Sequence, residues 1–315
     1  MKYRGVGKSG LQVSVVGLGC NNFGMRIELE GARSVIHAAL DAGITLFDTA
    51  DIYGGNGGSE TMMGQVLGDR RKDIVLATKF GMQMDKEGVK KGGSRRYIMT
   101  AVEDSLRRLQ TDWIDLYQLH APDPLTPMEE TLRALDDLVS SGKVRYVGCS
   151  NVPAWGVADA AWIAETRGFS AFISAQDEWS LLTRKLEAEL KPTCEHFGLG
   201  ILPYFPLASG LLTGKFKKGE EMSKDTRLGA SKGYGYFDHF MTDEKFDIVA
   251  KLSDFAESRG HTILELAFSW LLAQPVVPSV IAGATKPEQV AANVKAGDWE
   301  LTAEDLAEID KIAPR

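Results

Sequence analysis

The sequence predicts an α/β protein of the (β/α)8 TIM barrel type, with an N-terminal β-hairpin and a C-terminal extra helix. Three observations carry this expectation. Short apolar, β-branched runs recur eight times along the 315 residues, and most are followed by a segment of helical period. Strands alternating with helices imply parallel pairing through right-handed crossovers. The length suits a fold that runs to about 250 residues before insertions, so residues 1–315 are expected to form one barrel domain.

The opening segment KYRGVGKSGLQVS (2–14) reads as two short polar strands joined around Lys8 to Gly10, a hairpin suited to sealing one barrel end. The barrel strands then read VVGLG (15–19), TLFDT (45–49), IVLATK (74–79), IDLYQLH (114–120), VRYVGCS (144–150), AFISAQ (171–176), LGILPYF (199–205) and VVPSVIAG (276–283). Between them, helices are expected over 31–40, 59–67, 96–109, 128–140, 155–166 and 187–196, several ending in the glycine that a helix C-terminus favours. The segment from Ala208 to Asp243 is too long and glycine-rich for a plain connection. Its stretch GEEMSKDTRLGASKGYGYFDHF has two readings, a lid that closes over a ligand or a loop that is mobile without one. A last helix, LTAEDLAEIDKI, starts with a Thr-x-x-Asp cap.

The doubly wound nucleotide fold is the main rival, because GLGCNNFG follows the first strand. Its glycines fall as GxGxxxxG rather than GxGxxG, and no helix opens until about Glu28, so the pyrophosphate-on-helix geometry is missing.

A formal net charge of -7 and a pI near 5.4 argue against nucleic acid as a partner, since phosphate binding needs a basic footprint. The basic run KEGVKKGGSRR reads as a solvated turn. Cys20, Cys149 and Cys194 give an odd count without CxxC spacing, so neither a disulfide framework nor a metal site is expected. No segment approaches the roughly 18 apolar residues of a membrane span, and the apolar run near the N-terminus is too short and glycine-broken for a signal segment. A cytoplasmic protein is expected.

Chemistry in a barrel is sought where strands end, because those side chains face one common pocket. Four polar residues stand there: Asp48 and Tyr53 after the second strand, Lys79 after IVLAT, and His120 closing IDLYQL. Each alone has an ordinary explanation as a turn cap, loop anchor, snorkelling lysine or structural histidine. Together they make a chemical unit. A buried lysine needs a carboxylate, and Asp48 is placed to answer it. A cation beside a phenol lowers its pKa from about 10, which makes Tyr53 a general acid, while His120 is suited to holding a carbonyl oxygen. The chain has no hydride donor, so such a site requires a bound nicotinamide. Phe23 and Phe80 are expected to line the substrate side.

The motifs FDTADIYGGNGGSE, TKFG, DSLRRLQTDWIDLYQLH, GKVRYVGCSN, PYFPLASGLLTGK and IAGATKPEQVAANV occur in an order that resembles the aldo-keto reductase superfamily over essentially the whole chain. Within it, the sequence resembles bacterial branches related to potassium-channel β subunits and sugar dehydrogenases. The resemblance implies that Asp48, Tyr53, Lys79 and His120 are the catalytic tetrad, with Tyr53 as acid in reduction and base in oxidation. It implies that Ser150, Asn151 and Gln176 hold the nicotinamide carboxamide and that Tyr204 stacks on the ring. Backbone from Leu207 through Ala208 and Gly210 to Leu211, with Lys215, would wrap the pyrophosphate. Gly283 leads to the adenosine site, where Gln289 and Asn293 face the adenine and Thr285 and Lys286 meet a 2'-phosphate, favouring NADPH over NADH. The expected activity is reduction of a small carbonyl or sugar-like substrate. Sugar or alcohol oxidation with NAD(P), or a redox-sensing cofactor-binding subunit of slow turnover, uses the same groups.

Overall fold

In the computed structural model, which describes residues 1–219, 223, 226–231 and 237–315, the eight expected barrel strands all form. After the hairpin β1 (Tyr3–Gly5) and β2 (Gln12–Ser14) come β3 (Val16–Gly19), β4 (Leu46–Asp48), β5 (Val75–Phe80), β6 (Ile114–Leu119), β7 (Val144–Ser150), β8 (Phe172–Glu178), β9 (Gly200–Tyr204) and β10 (Val280–Gly283). A parallel ladder runs β10-β3-β4-β5-β6-β7-β8-β9. At the remaining seam the Ile201 amide donates to the Val276 carbonyl at 2.8 Å, and the sheet is a nearly closed barrel.

Helices α1 (Leu29–Asp41), α2 (Tyr53–Asn56, a single irregular turn), α3 (Gly58–Leu67), α4 (Arg95–Leu109), α5 (Met128–Ser140), α6 (Ala154–Arg167), α7 (Leu190–Phe197), α8 (Arg227–Ser231), α9 (Asp243–Glu257), α10 (Ile263–Leu272), α11 (Pro287–Ala296) and α12 (Ala303–Ile312) accompany the strands. The last is capped as its sequence predicts, Thr302 and Asp305 bonding each other's backbone amides. No helix of the described residues is long and apolar enough to cross a membrane.

Two starts shift from the sequence reading by three or more residues, for identifiable reasons. The strand expected from Val276 begins only at Val280, since Pro278 has no amide for a ladder. The helix expected from Glu187 begins at Leu190. Glu187 is drawn instead into a bidentate pair with Arg184, at 2.8 and 3.0 Å, and accepts from the Trp179 indole at 3.1 Å. Arg184 also bonds Asp310 and the Ala313 carbonyl, which pins α12 to the barrel wall.

The barrel interior is layered. Leu46, Ala77, Leu116, Leu202 and Ile281 pack together with Val6 and Val13 of the hairpin, so the hairpin does plug the end where the strands begin. Lys8 fastens it by donating to the Gly198 carbonyl at 2.8 Å. Side chains two residues along a strand share a face, so the layer above this plug comprises Asp48, Lys79, Gln118 and Tyr204. An apolar floor therefore carries a polar upper layer.

Candidate active site

Asp48 is the last residue of β4 and Lys79 the penultimate residue of β5. The Lys79 ammonium, without exposed surface, lies 2.6 Å from Asp48 Oδ2 and donates to the Thr49 carbonyl at 2.9 Å. The other carboxylate oxygen, Oδ1, accepts from Gln176 Nε2 at 2.9 Å and Gln118 Nε2 at 3.2 Å. Asp48 is thus saturated by donors, as a buried charge must be. Burial works against the Lys79 cation, yet Asp48 and then Tyr53 outweigh it and hold the ammonium above its ordinary range.

Tyr53 lies over this pair, its ring centroid 5.3 Å from the ammonium. It is presented by a tight turn, in which the Tyr53 amide donates to the Ala50 carbonyl at 3.2 Å. Gly54 must follow: its φ is +71°, and a Cβ there would stand 2.6 Å from both the Phe23 carbonyl oxygen and the Ser59 nitrogen. The His120 ring meets Tyr53 edge-on, centroids 5.7 Å apart. Burial, and repulsion from Lys79, push the His120 pKa down to about 3, so its imidazole is neutral at physiological pH and one ring nitrogen carries a proton to donate. Asp48, Tyr53, Lys79 and His120 therefore converge at one spot.

Asp48, Tyr53 and His120 line a cleft of about 1030 Å³, with Lys79 buried beneath them, and the cleft is lined also by Ser150, Asn151, Gln176, Tyr204, Leu207, Gly210, Lys215, Gly283, Thr285, Lys286, Gln289 and Asn293. Asn151 adopts φ +58°, held by its Nδ2 donating to the His120 carbonyl and Ser150 Oγ, both at 3.0 Å, and by Tyr204 donating to its Oδ1 at 2.8 Å. Gln289 accepts from the Thr285 amide and hydroxyl at 2.7 and 3.2 Å.

Other expected residues are placed elsewhere. Phe23 and Phe80 lie fully buried in the core, Phe80 packing on Tyr117, and are not among the cleft-lining side chains. Phe80, next to Lys79 on β5, points away from the lumen and Phe23 lies in the loop after β3, so Ile52, Met82, Ala121 and Leu264 supply apolar wall instead. Ala208 and Leu211 are buried behind the cleft, and the amides of Ala208 and Gly210 are spent on the carbonyls of Phe205 and Leu207, both at 2.8 Å. The candidate lid lies partly outside the described residues, at 220–222, 224–225 and 232–236.

Residues 15–314 match the sequence model of the aldo/keto reductase family. The chain belongs to this family. It is 36% identical over 321 residues to a probable voltage-gated potassium channel subunit beta of Oryza sativa subsp. japonica, covering 99% of this chain and 96% of that one. It is 37% identical over 324 residues to the uncharacterized oxidoreductase YrpG of Bacillus subtilis (strain 168), with coverage of 100% and 96%. An L-glyceraldehyde 3-phosphate reductase of Escherichia coli O157:H7 is 35% identical over 321 residues, with coverage of 99% and 92%. As an aldo/keto reductase the protein is an oxidoreductase of the carbonyl-reducing type, in a family that generally uses NAD(P)H.

The cleft of this aldo/keto reductase fits such a cofactor on its own features. Ser209 Oγ lines it, buried and without a hydrogen-bond partner among the described residues. Phe205, Ala208, Ser209 and Gly210 adopt positive φ, so the chain turns tightly beside Ser209. Burial, then repulsion from Arg26 and Arg227, lowers the Lys215 pKa. All three line the cleft, and Arg227 bonds Asn21 and Asn22 at 3.2 and 2.7 Å.

Sequence reasoning missed Gln118, Arg26 and Arg227. Gln118 carried a signal, being a glutamine in an apolar strand two residues before His120 and hence on the same face. Arg227 carried none, because it reaches the cleft from a segment without periodicity.

Proposed function

We propose that the protein is an NADPH-dependent reductase of small aldehydes or ketones in which Tyr53 donates the proton. The observation that carries this reading is the buried Lys79–Asp48 pair directly beneath the Tyr53 ring. A lysine held charged at that point stabilises the phenolate left after proton transfer, which is what a general acid of ordinary pKa about 10 needs near neutrality. Neutral His120 donates a hydrogen bond to the carbonyl oxygen and orients it toward Tyr53. When bound, the reduced nicotinamide supplies the hydride.

Ser150, Asn151 and Gln176 would hold the carboxamide, with Tyr204 against the ring. Lys215, Arg26, Arg227 and Ser209 would hold the diphosphate, and Gln289 and Asn293 the adenine. Thr285 and Lys286, at the start of α11, would meet a 2'-phosphate, where the helix N-terminus adds favourable charge. A small substrate suits the room left beside a dinucleotide, and the likeness to an L-glyceraldehyde 3-phosphate reductase supports an aldehyde. Run in reverse, with Tyr53 as base, the same groups oxidise an alcohol or sugar. Titration with NADPH and NADH by tryptophan fluorescence, followed by a carbonyl panel, tests the reading: tighter NADPH binding with aldehyde turnover supports it, and failure to bind either cofactor refutes it.

A further inference from the structure

Asp51 stands two residues before Tyr53 and takes no part in the chemistry above. It is 1% exposed, yet one carboxyl oxygen, Oδ1, has no hydrogen-bond partner among the described residues. Oδ2 accepts from the Tyr97 hydroxyl at 3.4 Å, and the Ile52 amide of the same turn favours the charged form of the carboxyl. Asp51 and Ile52 are the two central residues of the turn closed by the Tyr53 amide on the Ala50 carbonyl. Their side chains part to opposite sides. Ile52 lines the main cleft, while Asp51 lines a second cavity of about 150 Å³ behind it, shared with Asn56, Met84, Lys90, Tyr97, Ala101, Asp104 and Arg108. That volume holds on the order of a few waters. The turn is tied to the barrel through the Asp51 amide, which donates to the Lys79 carbonyl at 3.1 Å.

We propose that Asp51 is a positioning residue for Tyr53, its carboxyl bracing from behind the turn that presents the tyrosine, and that the polar side cavity makes this brace sensitive to proton concentration. The proposal rests on the reading of Tyr53 as proton donor. The groups facing Asp51 set its charge. From α3 comes Glu60, fully buried and bonded to Thr78 Oγ1 at 2.5 Å and Arg108 Nε at 2.7 Å. From α4 come Tyr97, Asp104 and Arg108, from the loop before α4 Lys90, and from β6 the buried Tyr117 hydroxyl. Burial, then Glu60, push the Asp51 pKa up to about 8, against the opposing pull of Arg108, the Ile52 amide and Tyr97. Arg108 is already committed to Glu60.

As a neutral acid, Asp51 fits its enclosed site. Ionised, it places a second negative charge beside Glu60 with an unsolvated oxygen, and relief lies in turning toward water in the side cavity. Because Asp51 and Tyr53 share one turn, that movement draws the tyrosine away from the Lys79–Asp48 pair.

The test compares wild type, Asp51→Asn and Asp51→Ala. The expected wild-type kcat falls roughly tenfold from pH 7 to pH 9, the loss of neutral acid for a pKa near 8. Asn, the shape of the neutral acid, is expected to remove that alkaline limb. Ala is expected to lower kcat at pH 7 with NADPH affinity unchanged, and Asn to restore it. Hydrogen exchange of residues 49–57 gives a readout free of turnover: a rise above the intrinsic pH dependence between pH 7 and 9 in wild type, absent in Asp51→Asn. Identical exchange in the two proteins, or an identical alkaline limb, overturns the proposal. If Tyr53→Phe kept full turnover, the reading of Tyr53 would fall while the exchange result still judged the brace.

Discussion

Lys79 and Asp48 form an ion pair at 2.6 Å in which the lysine has no exposed surface and the carboxylate is 6% exposed. Removing one partner from such a pair leaves the other uncompensated, at a cost of about 3–5 kcal/mol. Asp48→Asn is accordingly expected to lower the unfolding free energy measured in urea by an amount in that range, with a lower midpoint, and to depress turnover. A wild-type midpoint in the variant would show that the pair is dispensable.

His120 carries a second expectation. Its folded pKa lies near 3, below the unfolded value of about 6.5. The folded state therefore binds fewer protons between those values, and stability is full above pH 6.5 and lost as pH falls toward 3. His120→Gln is expected to narrow the drop in Tm between pH 7 and pH 4. The wild-type rate profile should also lack an inflection between pH 6 and 7, where a free imidazole would titrate.

Asp51 has the opposite sign. Its pKa is raised from 3.8 to about 8, so the folded state binds the extra proton and stability declines as pH rises from about 4 to 8. Asp51→Asn should raise Tm at pH 8 relative to wild type and raise it less at pH 4. Equal shifts at both pH values would remove the linkage.

Asp48 and Lys79 were legible because each stands at the end of an apolar strand with a group that is costly to bury alone, and Tyr53 and His120 because they follow such strands. The plug was legible as two short strands joined around Lys8 to Gly10 in KYRGVGKSGLQVS, and the cap of α12 in its Thr302 and Asp305. What the sequence left hidden depends on long-range pairing. Glu187 looks like a helix residue until Arg184 and Trp179 claim it. Phe80 looks like a pocket residue because strand ends suggest a pocket, but adjacent positions on a strand face opposite ways and Lys79 has the lumen, while Phe23 lies in the loop after β3 and packs into the core. Arg26 and Arg227 join Lys215 from separate segments, and nothing local marks them.

Cofactor choice is expected to turn on Lys286. A charge-assisted hydrogen bond contributes about 1.5–3 kcal/mol, so Lys286→Ala should weaken NADPH roughly ten- to a hundredfold and leave NADH nearly unchanged. An equal loss for both cofactors in fluorescence titration would assign Lys286 to a part of the nucleotide that the two share.

Tyr53→Phe tests the central claim most directly, because it removes one hydroxyl and keeps the ring over Lys79. Single-turnover reduction of an aldehyde that wild type accepts, measured with NADPH affinity in the same preparation, is expected to show the rate lowered by about a hundredfold or more with affinity nearly unchanged. A variant that binds NADPH and reduces the aldehyde at the wild-type rate would contradict the assignment of Tyr53 as proton donor.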